Sequence, residues 1–517
     1  MATSAPLISE SQLSSGIETL DHQEQHSLDD TIEKYMEGFG PAQYLQVILV
    51  SLAFLFDGQQ TFISDFSDAV PSWHCTDFSN QTCYSSSNFC NLSNSEWAWD
   101  EPASSSIVSD WALECGSSII VGLPASSYFV GSLIGGFTLA TLADSWLGRK
   151  KLLFLTCLGM STMALITAFS TNVWMYSGLR FVSGLFRASI GTCVVVMSTE
   201  MAGKKSGGFV RVVGFLFFAL GALSLSLVAY LNRGSPWRYL YIYTSIPAIV
   251  YCIIAYFFVS ESPRWLYMRG REAEAVAILN KMVPTKNISS SILKSAYKPL
   301  DHEQSNLDIY SSMKSLLERR WALKRLLAAM TLGFGVGMVY YGMFLGVGSL
   351  GFNIYLSVTL TASLTIPSIL LLPYVIERFN RRSSVVAFGI ASGLCSIVCA
   401  IIGEELKTVQ IIMSLASAFC SCAALNVLQI YTTELFPTCV RISATSMFRQ
   451  AINFGPIFVP LLVSAARRKN SVVYGVFGSV EISCIFFVIF LPETRGSSLS
   501  NAMDEQEKKD NTNAYVS

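Results

Sequence analysis

Charged residues are scarce in this chain. Only 14% of its 517 residues are Asp, Glu, Lys or Arg, against roughly 25% in an average soluble protein. A soluble chain of this length would form about three domains, each with a charged surface, so a wholly soluble protein is excluded. The net charge of −1 offers no basic surface to nucleic acid. The charges that do occur are clustered, and the segments between the clusters are apolar.

Signals for metal and nucleotide binding are also missing. The chain has 4 His and 13 Cys, and no cluster of them has the spacing of metal ligands. The run Gly203-Lys204-Lys205-Ser206 is similar to the end of a phosphate-binding loop, but the Gly that this loop requires at position 198 is Ser198. The sequence therefore predicts no cofactor and no ATP-driven machinery.

Twelve apolar runs are long enough to cross a bilayer, since about 30 Å of hydrocarbon takes roughly 20 residues. They predict an all-α membrane protein with twelve transmembrane helices. The helices are expected at residues 42–62, 118–143, 152–170, 173–197, 209–231, 239–259, 326–347, 352–375, 384–402, 409–433, 443–464 and 471–491.

A polar stretch, residues 260–325, divides these spans six and six. The predicted units are a cytosolic N-terminal segment, a first six-helix bundle that contains a large extracytosolic loop, a cytosolic linker with short helices, a second bundle and a cytosolic tail. Their ranges are 1–41, 42–259 (loop 63–117), 260–325, 326–496 and 497–517. Residues 1–41 are acidic and lack the basic region of a signal peptide, so the first span is expected to stay in the protein.

Basic residues indicate the orientation. Residues 63–117 contain no Lys or Arg, whereas basic clusters such as 149–151 and 381–382 follow the even-numbered spans. Cytosolic loops carry an excess of Lys and Arg, so both termini are predicted in the cytosol and the long loop outside or in a lumen. An oxidising, glycosylated face would suit this loop. It holds two sequons, at Asn80 and Asn91. It also holds four cysteines, which predict two disulfides in one of three pairings. These are Cys75, Cys83, Cys90 and Cys115.

The two halves share landmarks at nearly constant separation, which indicates an internal six-plus-six parallel repeat. One of them is Glu261–Arg264, which matches Glu493–Arg495 at an offset of 232 residues. Such a repeat implies two bundles with a substrate site at their interface near the midplane. Acidic and basic residues recur at matching inner ends, where charge-assisted hydrogen bonds can hold one conformation and release another. Basic residues placed only by membrane topology are the alternative. The candidate gating residues are Asp144, Arg149, Glu200, Glu377, Arg381 and Glu434.

Several motifs resemble those of the major facilitator superfamily and, more closely, its organic cation and carnitine transporter family. They are residues 38–43, 71–75, Glu261–Leu266, Tyr431–Arg441 and Pro492–Gly496. Residues Asp144–Arg149 resemble the plant branch of that family. The resemblance covers residues 38–496 and implies the major facilitator fold, transport by alternating access, and no enzymatic activity.

Charges inside the spans are functional candidates because an unpaired charge in hydrocarbon is costly. Asp57 in span one and Arg180 in span four are both estimated to lie about 10 Å below the outer surface, which predicts that they pair. They also resemble the acid and the arginine of plant proton-coupled sugar porters, and proton coupling is expected at this pair. A fixed structural ion pair is the alternative.

Substrate candidates lie in the second half. The resemblance places Asn453 at a helix-eleven position that tends to be acidic in the cation carriers of the family and Arg in its anion carriers, and Asn does not choose between the two. It also makes Tyr340 and Tyr341 similar to the aromatic wall of the family's pocket. Aromatic faces attract quaternary ammonium groups. Arg449 lies one turn before Asn453 and could favour anions, while Glu481 lies near mid-depth in span twelve and could favour cations. Ordinary helix packing is the alternative for both tyrosines and for Glu481.

The sequence therefore predicts a secondary transporter of organic cations or of zwitterions such as carnitine, with protons as the coupling ion. A proton-coupled sugar or organic anion transporter and a non-transporting solute sensor are the alternatives. The expected partners are the small organic solute, protons and the lipid bilayer, and a monomer is the expected transport unit. The sequence does not distinguish between the plasma membrane and the vacuolar membrane as the location.

Overall fold

A computed structural model describes residues 40–76, 90, 92–93, 95–139, 147–203, 207–282, 309–347, 353–402, 406–437, 439–466, 470–496 and 503–508. The first part of the chain forms α1 Pro41–Phe62, α2 Ser64–Ser67, β1 Trp73–Cys75, β2 Trp97–Trp99, α3 Ile107–Asp110, α4 Ser118–Thr138, α5 Arg149–Thr167, α6 Val173–Arg187, α7 Ile190–Ala202, α8 Gly207–Leu231 and α9 Trp237–Phe258. The linker contains α10 Pro263–Met268, α11 Glu272–Met282 and α12 Ile309–Glu318. The last part forms α13 Arg320–Val347, α14 Ile354–Arg378, α15 Arg381–Ile402, α16 Lys407–Leu435, α17 Arg441–Phe454, α18 Val459–Ala465 and α19 Asn470–Ile485.

Within the described residues, 11 helical stretches are long and apolar enough to cross a membrane. The remaining predicted span, residues 443–464, consists of α17 and α18 with a 3-10 turn at Gly455–Ile457 between them. Pro456 and Pro460 have no N–H to donate to the preceding turn, which explains why this span is interrupted. Within the described residues, each of the twelve predicted spans is therefore mainly helical, with ends that differ from the prediction by a few residues.

Each span has an end on the loop side and an end on the linker side. The loop side is the end that leads into residues 68–117, and the linker side is the end that leads into residues 259–319. On the loop side, β1 pairs antiparallel with β2, with Trp73 opposite Trp99. Cys90 and Cys115 form a disulfide with their Cα atoms 5.6 Å apart. Cys75 is also disulfide-bonded, and Cys83, Asn80 and Asn91 lie outside the described residues.

Close packing of α4 against α6 fixes the side chains of α6. A Cβ atom at Gly131 would overlap the carbonyl oxygen of Phe181, and one at Gly184 would overlap the carbonyl oxygen of Tyr128. Small residues let two membrane helices approach in this way. The two arginines of α6 are therefore held at a defined position against α4.

The halves, residues 41–258 and 320–490, meet on the loop side through aromatic rings. Phe62 of α1 stacks on Phe344 of α13, with ring centroids 4.1 Å apart. Phe129 of α4 meets Tyr341 edge to face at 5.3 Å. Further along, Ser126 Oγ donates to the carbonyl oxygen of Ile457 at 2.8 Å. The interface between the halves is thus closed on this side, mainly by apolar contacts.

Candidate functional site

Charged residues inside the spans lie in several places. Asp57, Arg187 and Arg449 lie at the interface between the halves, Arg180 lies nearer the loop side, and Glu481 lies within the second half. The interface group contains two guanidinium groups and one carboxylate. It is the candidate functional site.

Asp57 and Arg187 form an ion pair. The Nε of Arg187 donates to Oδ1 of Asp57 at 2.7 Å, and both side chains are less than a tenth exposed. Arg187 is the last residue of α6, and the helix is interrupted before α7 begins at Ile190. A helix C-terminus carries a partial negative charge that favours a cation. Interrupted helices of this kind line substrate sites in many transporters.

Arg180 does not take the predicted position beside Asp57. It is fully buried, and it donates to the carbonyl oxygen of Gln60 at 3.1 Å and to Ser64 Oγ at 3.0 Å. Its guanidinium also lies 4.1 Å from the ring centroid of Tyr128. The predicted pairing of Asp57 with Arg180 is therefore wrong, because Asp57 pairs with Arg187 two helical turns further along α6.

The physical reason is the direction in which helical side chains point. Side chains lean towards the N-terminus of their helix. Helix α1 runs towards the loop side, so Asp57 reaches towards the linker side. Helix α6 runs the other way, so the long side chain of Arg187 reaches back towards Asp57. The depth estimate considered only Cα positions.

Sequence reasoning missed a second acidic group in span one. Helix α2 continues this span to Ser67, which places Asp65 inside it. Asp65 is 8% exposed, and neither of its carboxylate oxygens has a hydrogen-bond partner. Asp68 accepts hydrogen bonds from Tyr176 Oη and Ser67 Oγ, both at 2.7 Å. The sequence feature that could have revealed this group is the pair Asp65 and Asp68, which are three residues apart directly after the first apolar run.

Arg449 reaches across the interface from α17. Its Nη1 donates to Thr192 Oγ1 of α7 at 3.3 Å. A Cβ atom at Gly191 would come within 2.6 Å of the same Nη1, so the glycine leaves room for the guanidinium. In the described part of the chain, no carboxylate forms an ion pair with Arg449. One positive charge at the interface is therefore not balanced by an acidic side chain.

Aromatic side chains border this group. Tyr341 Oη accepts a hydrogen bond from Arg187 Nη2 at 3.4 Å, and its ring lies 5.1 Å from that of Tyr340. Tyr340 in turn meets Phe344 at 5.7 Å. Asn453 is 7% exposed and lies one turn after Arg449 on α17. The structure thus brings Asp57, the two tyrosines and Arg449 together.

Glu481 does not join this site. It is fully buried, and its Oε2 accepts a hydrogen bond from Ser392 Oγ of α15 at 2.7 Å. Gly335 of α13 also packs against this part of α19. All of these contacts lie within the second half. The structure thus places Glu481 within the second half and outside the interface group, because depth along a helix does not specify which face a residue occupies.

The predicted gating residues form two matching clusters on the linker side. In the first half, Arg149 pairs with Glu200 at 3.3 Å, and Glu261 accepts the backbone N–H of Lys150 at 3.1 Å. In the second half, Arg381 pairs with Glu434 at 3.2 Å. Glu493 there accepts the backbone N–H groups of Arg381 and Arg382 at 3.0 and 3.1 Å. In both halves a glutamate caps the N-terminus of a helix whose first residue is an arginine.

These contacts refine the predicted gate. Each ion pair lies within one half, so in this conformation these pairs brace each half separately. The carbonyl oxygen of Glu377 accepts a hydrogen bond from Arg495 at 2.8 Å, while the exposed carboxylate of Glu377 has no ion pair among the described contacts. Asp144 lies outside the described residues. Glu261 and Glu493 were visible in the sequence as a repeated motif but not as helix caps.

Solved structures of similar shape define the class of this protein. The major facilitator superfamily proton:xylose symporter XylE, bound to 6-bromo-6-deoxy-D-glucose, matches with a TM-score of 0.64 and 18% identity, over 88% of this chain and 97% of that chain. An inward-open structure of the xylose transporter XylE from E. coli matches with a TM-score of 0.63 and 15% identity, over 88% and 98%. The chain has the fold of the major facilitator superfamily, as predicted.

Sequence relatives narrow the class. A profile of the family described as "Sugar (and other) transporter" matches residues 70–505. Organic cation/carnitine transporter 3 of Arabidopsis thaliana is 48% identical over 93% of this chain and 94% of its own length. Organic cation/carnitine transporter 2 of the same plant is 48% identical over 94% of each chain. Solute carrier family 22 member 21 of Mus musculus is 28% identical over 80% and 73%.

The chain belongs to the sugar (and other) transporter family and, within it, to the organic cation/carnitine transporters of the plant branch. It is a multi-pass membrane protein and a secondary transporter. It is not an enzyme.

Proposed function

We propose that the protein transports organic cations and zwitterions such as carnitine by alternating access, with the substrate held between the two halves. The observation that carries this proposal is the unbalanced guanidinium of Arg449 beside an aromatic wall. The plant relatives at 48% identity, named for organic cations and carnitine, support the same substrate class.

The charge count at the interface favours a substrate carboxylate. Asp57 neutralises Arg187, so Arg449 is left with a hydroxyl partner, Thr192, and no acidic partner among the described contacts. Arginine binds carboxylates through two parallel hydrogen bonds. A substrate carboxylate at Arg449 would balance the site and would contact both halves, because Thr192 belongs to the first half.

The aromatic wall suits the other end of a zwitterion. Tyr340, Tyr341 and Phe344 are buried and lie edge to face. A quaternary ammonium over such faces gains roughly 2 kcal/mol when desolvated. Choline has the ammonium group but lacks the carboxylate, so the two ends of the site can be tested separately.

Proton coupling at Asp57 is part of the proposal. The acid can bind a proton only when it separates from Arg187, and Tyr341 of the second half contacts that arginine. Movement between the halves would therefore reach the ion pair directly. Arg180 would support α1 near the loop side through Gln60 and Ser64.

The test is competition for uptake in proteoliposomes, with labelled carnitine against choline, an organic anion and a hexose. Arg449→Gln should weaken carnitine binding at least tenfold, about 1.4 kcal/mol, and leave choline largely unaffected. Arg233→Gln, at an exposed arginine on the loop side that pairs with Glu101, is the matched control. Inhibition by the hexose alone, or equal loss of carnitine and choline in Arg449→Gln, would contradict the proposed site.

We also propose that the loop side faces the outside or a lumen and the linker side the cytosol, with both termini cytosolic. The absence of Lys and Arg from residues 63–117 supports this orientation, as does the disulfide between Cys90 and Cys115. Glycosylation of Asn80 and Asn91, a monomeric transport unit, and a place in the plasma membrane or the vacuolar membrane complete the proposal.

A further inference from the structure

Glu481 is a buried carboxyl group for which the substrate site has no use. It lies on α19, and its side chain is fully buried. Oε2 accepts one hydrogen bond, from Ser392 Oγ at 2.7 Å, and Oε1 has no hydrogen-bond partner. The carboxyl group of Glu481 thus accepts one hydrogen bond, whereas an ionised carboxylate can accept about four hydrogen bonds.

The surroundings of Glu481 contain no positive charge to balance an ionised carboxylate. The titratable groups that face it are thiols: Cys395 on α15, Cys420 on α16 and Cys484 on α19 itself. Helix α13 presents Gly335, which adds no side chain. Across the part of the chain that the structure describes, no Lys, Arg or His pairs with Glu481. An unpaired ion is expensive in such a place, whereas a neutral carboxyl group is tolerated.

A line of hydroxyl groups extends from Glu481 towards the loop side. Ser392 Oγ lies 3.2 Å from Ser417 Oγ, and Ser417 Oγ lies 2.7 Å from Ser396 Oγ. Helix α15 runs from the linker side to the loop side, so Ser396 lies one turn nearer the loop side than Ser392. Hydroxyl groups both donate and accept hydrogen bonds, so each can receive one proton and pass on another.

We propose that Glu481 is a proton-binding site of the second half, connected towards the loop side by Ser392, Ser417 and Ser396. For the transfer the carboxyl proton lies on Oε2, the hydroxyl of Ser392 turns from Oε2 towards Ser417, and the hydroxyl of Ser417 turns from the carbonyl oxygen of Ser392 towards Ser396. Glu481 then gives its proton to Ser392, the hydroxyl proton of Ser392 moves to Ser417, that of Ser417 moves to Ser396, and that of Ser396 passes to a water molecule on the loop side. Each serine is neutral before and after, Glu481 becomes a carboxylate, and the water becomes hydronium. Serine hydroxyl groups can pack between helices without a carboxyl group, so the contact of Ser392 with Glu481 is the observation that distinguishes this line from ordinary helix packing. The proposal does not depend on the identity of the transported solute.

Infrared spectroscopy of the purified full chain in lipid tests the site, because a protonated carboxyl group gives its own carbonyl stretching band. The wild type should show such a band, and Glu481→Gln should lose a component of it that Asp57→Asn and Asp65→Asn both keep, because Asp65 is a second buried carboxyl group without a hydrogen-bond partner. Ser392→Ala should shift the band, since it removes the one hydrogen bond to the carboxyl group, and this variant keeps the test valid if Glu481→Gln does not fold. A wild type without the band, or a band of the same shape and intensity in Glu481→Gln as in the wild type, would overturn the proposal.

Exchange of hydrogen for deuterium tests the connection. Ser417→Ala should slow the isotope shift of the Glu481 band several-fold. Ser479→Ala, at an exposed serine on the same helix as Glu481, is the matched control and should leave the rate unchanged. Equal exchange rates in Ser417→Ala and the wild type would refute the serine route.

Discussion

Tyr341 of the second half contacts the ion pair of the first half: its hydroxyl lies 3.4 Å from Nη2 of Arg187. Arg187 in turn holds Asp57 at 2.7 Å. A displacement of α13 against α6 therefore acts on the same guanidinium that neutralises Asp57. Movement between the halves can therefore change the distance between Arg187 and Asp57, and with it the protonation of Asp57.

Asp57→Asn should abolish substrate accumulation driven by a pH gradient and leave counterflow exchange largely intact. Exchange needs substrate movement without net proton transfer, so it does not require the carboxyl group. Both activities can be measured in the same proteoliposomes. Accumulation at the wild-type level in Asp57→Asn would make the ion pair structural and the protein a facilitator or a carrier of another ion.

A second variant separates the loss of coupling from damage to the fold. Asp57→Asn leaves Arg187 buried without its partner, and breaking a buried pair on one side costs about 3–5 kcal/mol. Asp57→Asn with Arg187→Gln removes both charges and should recover most of the lost thermal stability without restoring accumulation. Recovery of accumulation in the double variant would show that charge balance alone, and not the proton, matters at Asp57.

Arg381→Gln should slow turnover about tenfold, about 1.4 kcal/mol, with little change in apparent substrate affinity. Arg381 pairs with Glu434, which also accepts a hydrogen bond from Thr494 at 2.6 Å, so the change loosens a cluster remote from the substrate site. Arg382→Gln is the control, because Arg382 supplies its backbone N–H to Glu493. A large change in affinity with turnover intact would mean that Arg381 contacts substrate.

Gly148→Ala should destabilise the protein more than Gly234→Ala does. Both glycines have positive φ, 80° and 75°, and an L-residue in this region pays about 1–2 kcal/mol. A Cβ at Gly148 would also come within 2.6 Å of Glu261 Oε2, whereas a Cβ at Gly234 would meet nothing within 4 Å. Gly148 also has ψ 165°, in a region that is essentially restricted to glycine, so the difference in melting temperature between the two variants combines backbone strain at position 148 with the displacement of the Glu261 cap. Equal melting temperatures would show that neither contributes to stability.

Glycan mapping in a eukaryotic host should find sugar on Asn80 or Asn91 and none on Asn287. All three positions carry the sequon, so accessibility to the luminal enzyme decides among them. Peptide mass spectrometry after glycosidase treatment provides the measurement. Sugar on Asn287 with both loop asparagines bare would reverse the proposed orientation.

The spans were predictable because the bilayer imposes a minimum apolar length on every one of them. The interruption at Gly455–Ile457 did not change that length, so span eleven was still located. The repeated Glu261 and Glu493 motifs were also visible, since a duplicated fold keeps the same residues at the same helix ends. Length and repetition are properties of sequence alone.

Partners inside the membrane were harder to predict. Asp57 was assigned to Arg180 from axial depth, and Glu481 to the substrate site from the same quantity. Depth along the helix axis specifies neither the direction in which a long side chain points nor the helix face on which it lies. Asp65 was missed because span one was taken to end at residue 62, whereas α2 extends it to Ser67.

The stacked rings of Phe62 and Phe344 close the loop side without a hydrogen bond between them. When these two rings part, neither of them loses a hydrogen bond, and water must wet the faces that they leave. Apolar constrictions gate by wetting and dewetting, and their surfaces carry no charge for salt to screen. Opening on the loop side should therefore proceed at nearly the same rate in low and high salt.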